Sequence, residues 1–97
     1  MKLQVMAMYD QAAMAFLPPF VVASEALALR QFIVLAESQP KHDFVRFSSQ
    51  YTLYALGLWD NANGVFSELE ARSLGTMQTI LGRRDLMDAA ESASEVA

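Results

Sequence analysis

Apolar and polar positions alternate with period two in two stretches of the chain and recur at helical spacing in a third. From Lys2 to Tyr9, Leu3, Val5, Ala7 and Tyr9 fall on one side and Gln4, Met6 and Met8 on the other, which predicts a strand with two largely apolar faces. Phe16 to Ala23 reads as a second strand. Its Pro18 and Pro19 remove two backbone donors and so assign it to a sheet edge. Between them Asp10 to Ala13 is expected to turn, on weak turn chemistry, because Gln11-Ala12-Ala13 has no glycine. Tyr51 to Trp59 is the clearest strand, with Tyr51, Leu53, Ala55, Gly57 and Trp59 alternating with Thr52, Tyr54, Leu56 and Leu58. Asp60-Asn61-Ala62-Asn63-Gly64 then supplies residues that tolerate a left-handed backbone, and Val65, Phe66 and Leu69 return as the partner strand of a hairpin.

Ser24 before Glu25 is a helix start, a hydroxyl to cap free amides and a carboxylate at the positive end of the dipole. Ala26, Leu29, Ile33 and Ala36, joined by Phe32 and flanked by Leu27 and Leu35, give a helix from Glu25 to about Ser38 one apolar face. Pro40 ends it, and Lys41 to Gln50 reads as a loop pinned down by Phe44, Val45 and Phe47. Thr76 to Leu81 is apolar and can turn helical, and Arg83 to Val96 is rich in Ala and Glu with a thin apolar stripe. The elements predict an α+β fold: a single antiparallel sheet from two β-hairpins, one covering amphipathic helix and a C-terminal helical tail. Residues 1–81 form the domain and 82–97 an acidic, partly helical tail. One helix dries one side of a sheet, so the other side, with Met6, Met8, Tyr51 and Phe66 as candidates, is expected to meet a second copy in a homodimer.

Composition narrows the function classes. With 97 residues and 54% apolar content the chain fills one core, and with no Cys it has neither disulfides nor a thiolate metal site. The net charge of −4 comes from Asp85, Asp88, Glu91 and Glu95, beyond the last base, Arg84; up to that point seven bases balance seven acids. A neutral body argues against duplex DNA or an anionic membrane as partner, since both bind through charge neutralisation, while leaving single strands held by aromatic rings open. The longest uncharged run, Gln11 to Ser24, contains two prolines and is shorter than the ~20 apolar residues of a membrane span. A soluble, cytoplasmic protein is expected.

Catalytic constellations are sparse. A single histidine, His42, makes no two-histidine metal site, and Asp10, Asp43 and Asp60 sit at turns, where such acids are ordinary. Ser48, His42 and Asp43 share one loop without the glycines of a nucleophile elbow, and the four glycines form no phosphate-cradling loop. The expectation is no enzyme, no catalytic residue, no metal and no cofactor. Aromatics are the better candidates. Tyr9, Phe16, Phe20, Tyr51, Tyr54, Trp59 and Phe66 fall on strands, and exposed rings can stack unpaired bases. Tyr54 and Trp59 carry polar handles and are the named stacking candidates; strict alternation puts them on opposite faces. Arg46, Arg72, Arg83 and Arg84 are the candidate phosphate contacts.

Met1 to Tyr9 leading to Asp10, Phe16-Leu17-Pro18-Pro19-Phe20, the Ser24-Glu25-Ala26 helix start, Tyr51-Thr52-Leu53-Tyr54, Gly57, Asp60, Gly64, Phe66 and Ser73-Leu74-Gly75 occur in an order that resembles a known family. This is the small nonstructural protein of gokushovirus-type microviruses, tailless phages with circular single-stranded DNA genomes. The resemblance spans roughly residues 1 to 80. It implies a non-capsid protein of phage DNA replication or packaging in the host cytoplasm, with single-stranded DNA as partner. The alternative it leaves open is a regulator that binds only protein, either the replication initiator or a host replication protein.

Overall fold

The computed structural model describes residues 1–83; Arg84 and the rest of the expected tail lie outside the described residues. One antiparallel sheet carries the fold. Its central strand β1 (Lys2–Asp10) pairs along one side with β4 (Tyr51–Asp60), which pairs in turn with β5 (Val65–Thr76). On its other side β1 meets two short strands, β2 (Ala15–Phe16) and β3 (Phe20–Val22). The expected second strand is thus split in two at Pro18-Pro19, which have no N–H to give to a ladder.

The two hairpin loops share one device. Asp10 Oδ1 accepts from the N–H groups of Ala12 and Ala13 at 3.0 and 3.3 Å, and Asp60 Oδ1 accepts from those of Ala62 and Asn63 at 2.9 and 3.3 Å. Each aspartate folds the next three residues into a turn without help from glycine, so the chemistry missing from Gln11-Ala12-Ala13 is supplied by Asp10. Each loop then closes on a left-handed residue, Gly64 at φ 69° in one and Met14 at φ 55° in the other.

Helix α1 (Glu25–Ser38) starts where expected, with Ser24 Oγ accepting from Leu27 N–H at 3.1 Å. Its buried face is Ala28, Ile33 and Ala36, whereas Ala26 and Leu27 are exposed, a rotation of the expected face. The segment 41–50 is more folded than a loop. His42 Nδ1 accepts from Phe44 N–H at 3.1 Å and caps one turn of helix, α2 (Asp43–Arg46), followed by a 3-10 turn at Ser48–Gln50. A third helix, α3 (Met77–Gly82), begins at a Thr76 hydroxyl cap.

All three helices lie over one face of the sheet. Met6, Met8, Leu53, Met77 and Ile80 are each at most 2% exposed and form the core with Val22 and Ala28, ringed by Leu17, Phe20, Phe32, Phe44 and Tyr51. This corrects the expectation for Met6 and Met8. They do not face a second subunit but sit beneath the helices, because α2 and α3 together with α1 make a lid wide enough to seal that side of β1.

Candidate nucleic-acid interface

The face without helices is built from the odd positions of β1. Residues of β1 pair consecutively with β4 except at one step: Met6 lies opposite Ala55 and Val5 opposite Gly57, leaving Leu56 as an extra residue in β4. A bulge of this kind re-aims everything beyond it. Tyr54 pairs with Ala7, and Trp59 pairs with Leu3, so both stand on the same face of the sheet as the odd residues of β1. The alternation expected from sequence, which separated Tyr54 from Trp59, is broken by one inserted residue.

Three further rings join them. Phe16 pairs with Tyr9 on this face, and Tyr9, Phe16 and Tyr54 form an edge-to-face triangle with centroids 5.0, 5.4 and 6.5 Å apart. Phe66 pairs with Trp59 at the far end. Gly57 makes room for it: a Cβ there would come 2.9 Å from the Phe66 ring and 2.5 Å from the Ser67 carbonyl oxygen. A glycine within a strand is the one sequence signal of a bulge or close approach here. Phe16 and Phe66 are about half exposed, at 47% and 52%, as is Val21 of β3, which pairs with Val5 on this face. Beside the triangle a shallow pocket of about 490 Å³ is lined by Tyr9, Gln11, Met14, Thr52 and Tyr54.

Charge is distributed differently from the rings. Arg72 pairs with Ala55, on the helix side, where it bonds the Glu25 carboxylate at the start of α1. Arg46 lies on α2 with its guanidinium 5.1 Å from the Phe47 ring centroid, and Arg83 follows α3. Among the described residues, no Lys or Arg comes from a strand position of the aromatic face, and Glu68, opposite Gly57, does. The structure therefore groups Tyr54, Trp59 and Phe66 and separates them from Arg46, Arg72 and Arg83; Arg84 is outside the described residues.

Tyr51 belongs to the other side. Its ring lies against that of Phe44, tilted by 59° with centroids 4.8 Å apart, and burial, with the carboxylates of Asp10 and Asp43, raises its phenol above the usual value. Tyr9 and Phe16, named in the sequence only among strand aromatics, are the members that single-residue reasoning underrated. Among the described residues no group of three or more His, Asp or Glu side chains is placed to hold a metal ion. No described helix is long and apolar enough to cross a membrane.

A family model described as Phage ORF5 protein matches residues 3–80. The chain belongs to that family. The match covers β2 to β5, all of β1 but Lys2 and all but the end of α3, so the aromatic face lies inside the matched region. No curated protein and no solved structure was found to match it.

Proposed function

We propose that this ORF5-family protein is a non-enzymatic accessory factor of a gokushovirus-type microvirus, acting in the host cytoplasm during replication or packaging of single-stranded DNA. It holds the strand by stacking unpaired bases on the open aromatic face. The observation that carries this reading is the gathering of Tyr9, Phe16, Tyr54, Trp59 and Phe66 on the one face that no described helix covers. Stacking is tolerant of sequence, because every base has a π-face, and each stacked base contributes about 1–3 kcal/mol. With the described arginines on the helix side, phosphate neutralisation contributes little, and affinity falls only shallowly with salt.

Titration of a labelled oligonucleotide, followed by anisotropy and Trp59 emission, tests the proposal. Binding with quenching is expected, and Tyr54→Ala weakens it by about 5- to 150-fold. Unchanged anisotropy and emission at low salt would remove the DNA contact. The lack of described basic side chains at strand positions of the aromatic face, and Glu68 upon it, favour a second reading, a regulator that binds the replication initiator or a host replication protein. A partner that survives nuclease treatment in a pull-down from infected cells selects that reading.

A further inference from the structure

We infer that the pocket beside the ring triangle takes one nucleobase of a bound single strand out of the stack and holds it by its edge, with Gln11 and Thr52 as the residues that bind that edge. The inference rests on the stacking reading proposed above and adds a second kind of contact to the same face. The pocket, about 490 Å³, lies at the end of the aromatic face that carries the β1–β2 loop. Tyr9, Tyr54 and Thr52 reach it from the sheet, since Thr52 pairs with Tyr9 and shares its face, while Gln11 and Met14 reach it from the loop.

Its lining sets it apart from two cavities of similar size. One, of about 500 Å³, is walled by apolar side chains such as Leu17, Phe32 and Phe44 and opens on the helix side. Another, of about 420 Å³, is lined by Asp10 and Asp43, whose carboxylates repel a polyanion. The pocket on the aromatic face has no charged residue in its lining, which suits a neutral group, and two phenol rings. Gln11 and Thr52 add an amide and a hydroxyl that bond no other described residue. A base has these properties: it is neutral, flat and polar along its edge, while its phosphate stays outside. The Gln11 backbone is fixed, its N–H donating to the Gln50 carbonyl at 2.9 Å, so the side chain alone is left to bind. Its amide carries a donor and an acceptor side by side and turns to present them in either order, and so meets the edge of any of the four bases. Met14, held at φ 55° and 79% exposed, supplies an unbranched thioether that can fold over an inserted ring.

Anisotropy at low salt, with the full chain and two labelled strands of equal length, tests it. One strand is oligothymidylate; the other carries difluorotoluene, which keeps the shape and π-face of thymine but has no hydrogen-bonding edge. Gln11→Leu is expected to weaken binding of oligothymidylate by about 2- to 12-fold and to spare the difluorotoluene strand. Thr52→Val, which removes only a hydroxyl, should act in the same direction, and far-ultraviolet circular dichroism checks that both variants are folded. An equal loss on both strands, or no loss on either from both variants, overturns the inference and leaves the bases lying flat on the rings, with the stacking reading intact. If the wild-type protein binds neither strand, the stacking reading falls and this inference falls with it.

Discussion

The two faces of the sheet are made of similar material and put to different ends. Beneath the helices, Met6, Met8 and Leu53 from the strands meet Met77 and Ile80 from α3, each at most 2% exposed. On the other face the rings of Tyr9, Phe16, Tyr54, Trp59 and Phe66 gather, and Phe16 and Phe66 keep about half their surface in water. Flexible methionines fill the irregular space under a three-helix lid, while rigid rings supply flat surface that costs little entropy when something is laid upon it. Exposed rings, not hydrophobicity, mark the second side as the one available for recognition, while Val5 and Ala7 beneath those rings are buried at 7% and 1% exposure.

Truncation should separate the faces most sharply. Leu53→Ala opens a cavity among fully buried neighbours and is expected to cost about 2–5 kcal/mol, whereas Phe16→Ala, on the open face, costs a fraction of that. Urea unfolding of the two variants measures the difference. Equal losses would mean that the open face is a second core.

Gly57 lies where the faces are exchanged along β4. Gly57→Ala forces its new methyl group against the Ser67 carbonyl and the Phe66 ring, and a destabilisation of about 1–3 kcal/mol is expected. Displacement of Phe66 should also shift the emission of Trp59, its cross-strand partner. An unshifted spectrum with full stability would show that the bulge alone shapes that end of the face.

The smallest effect is electrostatic and lies in the exposed hairpin loop. The Asn63 side-chain amide and the Ala62 N–H hold the Asp60 carboxyl below its ordinary value. A carboxylate whose folded value is depressed adds stability above its unfolded value and loses it as pH falls through the folded one. Stability should therefore decline slightly through and below the usual carboxylate range, and Asp60→Asn should flatten that part of a thermal-melt pH profile. An identical profile for the variant would assign the acid sensitivity to other carboxylates.

Much of the local structure was legible in the residues. Ser24 caps α1, Tyr51 to Trp59 is a strand, and the Asp60 to Gly64 loop turns it back, each for reasons confined to a few neighbouring residues. The site was legible only in part. Tyr54, Trp59 and Phe66 stand out as strand aromatics, but a strict period of two puts Tyr54 and Trp59 on opposite faces, and Gly57 is the one mark in the sequence of the step that unites them. Arg72 reads from sequence as a phosphate contact, whereas the fold brings Glu25, far away in sequence, to bond it.

Alternation, caps and turn residues are short-range properties, so the chain by itself determined which segments become strands and helices and that the sheet has two apolar sides. Tertiary structure decided which side the helices cover. A single extra residue in β4 reverses the facing of every side chain beyond it, and the pairing with β1 and β5 shows where that residue sits. The packing of α2 and α3 beside α1 then claims Met6 and Met8 for the core and leaves the rings of the other face without a described helix over them, an outcome set by contacts between segments distant in the sequence.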